Sequence, residues 1–292
     1  MRYGAIDIGS NAVRLLIAEI NPGTKPVQFK KEVLIRVPLR LGDDAFIQHQ
    51  ISKPKFDNMV KTMQAFRNLM DVYRVSDYMA CATSAMREAD NGLDIVQACE
   101  KIGVDIQIID GSKEAKIIYN GHLQEKMDAN KVYLYIDVGG GSTEISLFAD
   151  GKLVASSSFN LGTIRILDNQ DSPETWENMK QWVKEYTRKY KHIYGIGSGG
   201  NINKLSRIAN EKADKPMSYA KLRAIYQHLN SFSLKDRIQV LGLKQDRADV
   251  IIPAADIFLT IMKVGHLKNI VAPRIGLVDG IIQTLIDNNL EK

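Results

Sequence analysis

Residues Tyr133–Leu147 read YLYIDVGGGSTEISL, and Tyr3–Ile17 read YGAIDIGSNAVRLLI. Aligned without a gap, Asp7 falls on Asp137 and Gly9 on Gly139, with apolar runs on both sides. Each copy is an apolar strand, a turn of small residues and a second apolar strand, which is a hairpin pattern. The chain thus carries one unit twice, and such a repeat decides architecture first.

The echo extends outward from both hairpins. Val27–Leu41 and Lys152–Leu167 each read as a further extended, β-branched segment. A long amphipathic helix follows each one, Lys55–Tyr73 and Pro173–Tyr190, with Met59, Met63 and Phe66 in one and Met179, Trp182 and Val183 in the other at helical spacing. Stripes of this kind are core. Next comes a short strand ending in small polar residues, Tyr78–Ala82 and Ile193–Ile196, and then a helix. The unit is βββαβα used twice, and strands mixed with helices on this scale predict an α/β sheet in each lobe. Met217–Leu243 reads as extra helix, and Asp246–Met262 as one more helix kinked at Pro253. A hinge is expected near residues 121–130.

Composition excludes several classes. With 45% hydrophobic and 25% charged residues in 292, the chain is neither disordered nor collagen-like. The net charge of +5 is compatible with an anionic ligand but is usually just a solvated surface, and no nucleic-acid partner is expected. Cys81 and Cys99 show no CxxC spacing, and the five histidines form no HExxH-like cluster, so a His/Cys zinc site is not expected. Asp7 interrupts the apolar stretch nearest the N-terminus, and Val250–Gly265 is too short and too polar to span a bilayer. The expectation is a cytoplasmic protein with no membrane partner.

Glycine lacks a Cβ, so backbone N–H groups at Gly9 and at Gly139, Gly140 and Gly141 can approach and cradle phosphate oxygens. Ser10, Asn11, Ser142 and Thr143 add side-chain donors, and Asp7 and Asp137 suit an oxygen-ligated Mg²⁺. The alternative is two ordinary tight turns with exposed acids; repetition of the acid–glycine placement favours phosphate. GIGSGG at Gly195–Gly200 matches GxGxxG literally. It lies late in the chain and parallels Ala82-Thr83-Ser84, so Gly197, Ser198 and Gly199 are read as an anion-binding strand-to-helix turn rather than a dinucleotide fingerprint.

The two hairpins resemble the phosphate loops of the acetate kinase/Hsp70/actin superfamily. More narrowly, the chain resembles the exopolyphosphatase/guanosine pentaphosphate phosphatase (Ppx/GppA) family in a short two-domain form. That likeness rests on ATSAMREA at Ala82–Ala89, GSKEAKIIY at Gly111–Tyr119, Gly197–Gly200 and RADVIIP at Arg247–Pro253, in that order. It implies two ribonuclease H-like lobes around an interlobe cleft, across which the duplicated hairpin leads us to expect Asp7 and Asp137 to face each other. The expected division is 1–122 and 123–292, with a C-terminal helix, about 279–292, a candidate to pack back on the first lobe.

The same likeness implies that Glu114 is the catalytic base, that Asp137 and Glu144 place metal and water, and that Arg87 contacts phosphate. On residues alone, Glu114 sits in the first turn of a helix capped by Ser112, where it also suits the helix dipole. Lys113 stands where many members carry a second acid, and Val278 where arginine is common. The expected function is hydrolysis of a terminal phosphate from polyphosphate or guanosine pentaphosphate, with Mg²⁺ as cofactor and a homodimer compatible with the family. The rivals are a small-molecule kinase on the same fold and a non-catalytic polyphosphate or alarmone sensor.

Overall fold

Strand Arg2–Ile8 (β1) is almost wholly buried and lies at the centre of a five-stranded sheet. It pairs antiparallel with Val13–Asn21 (β2), setting Asp7 against Arg14. On its other side it pairs in parallel with Asp77–Ala82 (β4), setting Asp7 against Cys81. Gln28–Val37 (β3) and Ile106–Ile108 (β5) complete the order β3-β2-β1-β4-β5. The edge strand β3 carries Lys30, Lys31 and Glu32, charges that discourage a further strand from pairing there. The computed structural model describes residues 1–24, 27–118, 128–211, 215–273 and 275–290.

The second sheet repeats the plan. Val132–Val138 (β6), Thr143–Ala149 (β7), Lys152–Phe159 (β8) and Ile193–Ser198 (β9) stand in the order β8-β7-β6-β9. Beyond β9 come Asn269–Val271 (β11) and then Met217–Ser218 (β10) at the edge. Both sheets are therefore mixed α/β sheets that share one order over their first four strands, as the repeat predicts; beyond these the first adds one strand and the second adds two. Those added strands have two or three residues, too few to show a period.

The chain divides into two units, Met1–Glu125 with Ile275–Lys292, and Lys126–Arg274. The expected hinge, and Tyr119, fall largely on residues 119–127, outside the described residues. Helix Lys53–Val72 (α2) buries Met59, Met63 and Phe66, as its spacing predicts. Phe66 is almost fully buried, and truncating such a side chain to alanine costs about 3–5 kcal/mol. The C-terminal helix Leu277–Leu290 packs on β1, β2 and β4 and on Gly111–Ile118 (α5). Gly280 makes that docking close, since a Cβ there would lie 2.3 Å from the Ile117 carbonyl oxygen. Val278 is buried in the same helix, so no cation stands at that position.

Three local expectations change. Residues Thr163–Leu167 form a short helix (α6) rather than more strand. The helix expected over Asp246–Met262 is two, Gln245–Ala248 and Ile251–Val264. Pro253 stands in the first turn of the second, where its missing N–H would have had no helical partner anyway, so it starts a helix rather than kinking one. Met217–Ser218 is strand, not helix, and the helices Tyr219–Asn230 and Leu234–Gln239 follow it.

Candidate functional site

In the second unit, register lines four polar residues along one row of the sheet. Ser158 on β8 stands opposite Glu144, Glu144 opposite Asp137, and Asp137 opposite Ser198. Directly paired residues project to the same face, so all four side chains share one surface. Glu144 is 3% exposed and accepts a hydrogen bond of 2.8 Å from the Ser158 hydroxyl. Gly199 closes the row with φ of 98°, and a Cβ there would sit 3.2 Å from Asp137 Oδ1. A residue with a side chain would be strained in backbone and crowded against the acid.

The turn that follows Asp137 is held from behind. Gly139 N–H donates to the Ser142 carbonyl at 2.9 Å. The carbonyls of Gly139 and Gly140 accept from the N–H groups of Thr163 and Ile164 at 3.1 and 2.8 Å. The Gly141 carbonyl accepts from Arg165 Nε at 2.7 Å. In a planar trans peptide the N–H points opposite to the C=O. Three successive carbonyls turned toward α6 therefore turn the N–H groups of Gly140, Gly141 and Ser142 the other way. Consecutive amides so aligned form an anion-binding concavity. The Thr143 hydroxyl, expected as a donor to ligand, is fully buried and donates to the Leu161 carbonyl at 2.5 Å. Its side chain anchors the loop.

The glycines of GIGSGG have separate physical causes. A Cβ at Gly197 would lie 2.8 Å from the Ile202 side chain, and one at Gly195 would lie 2.9 Å from the Asn269 carbonyl oxygen. Those two glycines serve core packing. Gly199 supplies the turn, and Gly200 lies under the Arg247 guanidinium, which also donates to Asn201 Oδ1. The turn at Ser198–Gly199 is the part of this segment that adjoins Asp137.

The first unit has the equivalent loop on a different chemical row. Gly9 N–H donates to the Ala12 carbonyl, as Gly139 does to Ser142. Asp7, 4% exposed, is ion-paired to Arg14 at 2.5 Å, and Arg14 occupies the register position of Glu144. The Ser10 hydroxyl shares a buried hydrogen bond of 2.9 Å with Ser84, tying the loop to the turn after β4. Neither Arg14 nor Arg165 emerges from sequence spacing; the alignment of Arg14 with Glu144 is the signal that could have pointed to the first.

Glu114 lies on α5, whose cap is Asp110 rather than Ser112. Asp110 Oδ1 accepts from Lys113 N–H at 2.7 Å, and its carbonyl accepts from Glu114 N–H at 3.0 Å. Arg87, at the end of Ser84–Glu88, donates to the Ile109 carbonyl at 2.8 Å, next to that cap. Lys113 is exposed and reaches Gln107 Oε1 at 3.3 Å. Cys81 reads out the local charge. Burial, followed by negative charge on Asp7, pushes its thiol up to about 12; Lys113 opposes and Glu114 reinforces the shift. Asp7, Lys113 and Glu114 thus share the end of the first sheet.

Among the described residues, no group of three or more His, Cys, Asp or Glu gathers into a side-chain metal cage. Asp137 and Glu144, paired across the strands beside the amide concavity, are hard oxygen donors that fit a divalent cation also held by phosphate oxygens. Asp7 differs, because Arg14 already engages its carboxylate. No described helix is long and apolar enough to cross a membrane.

The model of the Ppx/GppA phosphatase family matches residues 17–289. The chain is 28% identical to a bifunctional 3-dehydroquinate synthase/phosphatase of Fusobacterium nucleatum over 85% of its own length, but spans only 41% of that protein. It is 23% identical to exopolyphosphatase 1 of Mycobacterium tuberculosis, covering all of this chain and 90% of that one. In fold it is similar to an exopolyphosphatase from Cytophaga hutchinsonii, with a TM-score of 0.84, 21% identity and coverage of 99% and 98% of the two chains.

Proposed function

The chain belongs to the Ppx/GppA phosphatase family, and from that premise we propose an exopolyphosphatase-like hydrolase that releases terminal phosphate from inorganic polyphosphate or guanosine pentaphosphate. The observation that carries the reading is the amide concavity of Gly140, Gly141 and Ser142 beside Asp137 and Glu144. Phosphoryl transfer asks a protein chiefly for positioning and charge stabilisation. The loop amides bind phosphoryl oxygens, and Arg87 adds positive charge. Glu114 accepts a proton from the attacking water as the new P–O bond forms and the bridging P–O bond breaks. Asp137 and Glu144 would hold a divalent cation such as Mg²⁺, which supplies further charge neutralisation when bound.

The choice between the two substrates follows from the partners they need. Polyphosphate offers only phosphate oxygens, whereas guanosine pentaphosphate also needs contacts to a base. Phosphate release measured side by side on short polyphosphate, long polyphosphate and guanosine pentaphosphate tests the reading. A folded parent protein inactive on all three overturns it, and ATP-dependent phosphorylation of an acceptor would then identify a kinase.

A further inference from the structure

We infer that Arg165 is a positioning residue for the phosphate loop, setting the Gly141–Ser142 peptide through its side chain. The inference rests on the loop reading just given. Arg165 is 7% exposed, and its Nε–H donates to the Gly141 carbonyl at 2.7 Å. That bond fixes the peptide whose other side is the Ser142 N–H, the last amide of the concavity. The Arg165 backbone is itself fixed, because its carbonyl accepts from Gln170 N–H at 2.7 Å. Gly162 lets the segment come this close; a Cβ there would stand 2.3 Å from the Gly140 oxygen.

The duplicated loop supplies the comparison. Asn11 occupies the place of Gly141, and its carbonyl accepts from the backbone N–H of Arg40 at 3.0 Å. Ser10, in the place of Gly140, has its carbonyl held by Gly42 N–H at 2.9 Å. In the first unit main-chain donors hold both peptides. In the second, a guanidinium takes over the second of these bonds and brings a fixed positive charge behind a loop meant for an anion. The same orientation is built twice, once by backbone and once by Arg165.

Lysine separates the two contributions. It has a methylene where arginine has Nε–H, so Arg165→Lys keeps the charge and loses the bond to Gly141. Loss of one preorganised donor to a transferring group typically costs about 10²–10³ in kcat; a loop loosened but not removed should lose roughly ten-fold or more in Arg165→Lys. Arg165→Met should lose more, because the charge goes too. The fall belongs in kcat per folded molecule on tripolyphosphate, with KM changed less, measured well below the melting temperature of each variant. A merely structural arginine would lower the melting temperature and leave kcat per folded molecule alone. If Arg165→Met does not fold, Arg165→Lys carries the test, and parental kcat and KM in a folded Lys variant overturn the inference. Asp137→Asn and Glu114→Gln, assayed alongside, separate the two levels. If they lose activity while Arg165→Lys does not, only the positioning role falls; if they too keep parental rates, the site reading falls with it.

Discussion

Asp7 and Arg14 face each other across β1 and β2 and form an ion pair of 2.5 Å. At the same register position the second sheet sets Asp137 against Glu144. One hairpin thus carries an acid neutralised by a base, and its duplicate carries two acids. Two carboxylates on one face of the sheet offer hard oxygen donors to a divalent cation, whereas Arg14 already engages Asp7.

That asymmetry predicts different metal dependences. Asp137→Asn should raise the Mg²⁺ concentration giving half-maximal phosphate release by about ten-fold or more, and excess Mg²⁺ should partly restore the rate. Asp7→Asn should shift that midpoint less, since Arg14 already occupies its carboxylate. Mg²⁺ titrations of both variants check this; a midpoint unchanged in Asp137→Asn would remove the metal from that pair.

Glu114→Gln is nearly isosteric, and the helix it stands on is capped by Asp110, so the fold should survive. General-base catalysis contributes roughly 10²–10⁴-fold, and the loss should fall mainly on kcat. Steady-state kinetics on polyphosphate decide it. Wild-type rates in the Gln variant would assign the base elsewhere.

The duplicated hairpin was legible because its two signals are local: apolar strands on either side of a turn, and glycines after an acid. The row Ser158–Glu144–Asp137–Ser198 was half legible, since strand pairing decides which residues share a face and pairing is not written in either strand alone. Arg165 was illegible, because its partner is a backbone carbonyl that any residue could offer. GIGSGG shows the converse: two of its glycines answer to Ile202 and Asn269, packing partners distant in sequence, so the motif spelled a ligand site more fully than the fold uses it. The added strands Asn269–Val271 and Met217–Ser218 are too short for any period to show.

Both thiols should be silent in the native protein. Burial holds Cys99 up at about 11, and burial with the neighbouring acids holds Cys81 at about 12. Each side chain is fully buried, and only the thiolate attacks a disulfide reagent. An aromatic disulfide at pH 8 should titrate fewer than one thiol per chain over an hour, and both after denaturation. Rapid native labelling of Cys81 would mean that the end of the first sheet opens readily.

Asp44 should make stability acid-sensitive. Burial alone would raise its carboxyl, but hydrogen bonds from Lys55 at 2.7 Å and from Ser52 outweigh it and hold the group below the ordinary range. A carboxyl depressed in the folded state adds stability above its unfolded pKa, about 3.9, and that stability is lost as pH falls through the lower folded value. Asp44→Asn should therefore cost on the order of 1–3 kcal/mol at pH 7 and progressively less in acid. Urea unfolding at pH 7 and pH 3 measures the difference, and an equal cost at both would assign the effect to packing rather than charge.

Gly280→Ala tests how the C-terminal helix is seated. The new methyl would stand 2.3 Å from the Ile117 carbonyl oxygen and 2.7 Å from its carbon, both backbone atoms of α5 that cannot swing aside. In an exposed helix interior the same change would stabilise by about 1 kcal/mol, because alanine is the better helix former. Here the clash should reverse the sign, with overpacking costing roughly 1–3 kcal/mol. Since α5 also carries Glu114, displacement of the helix should reach the base. The expected result is a lower melting temperature together with a reduced kcat on polyphosphate per folded molecule. Thermal unfolding and kinetics on the one variant read both effects. A Gly280→Ala protein more stable than its parent would mean that the helix docks farther from α5 than the close approach at Ile117 requires.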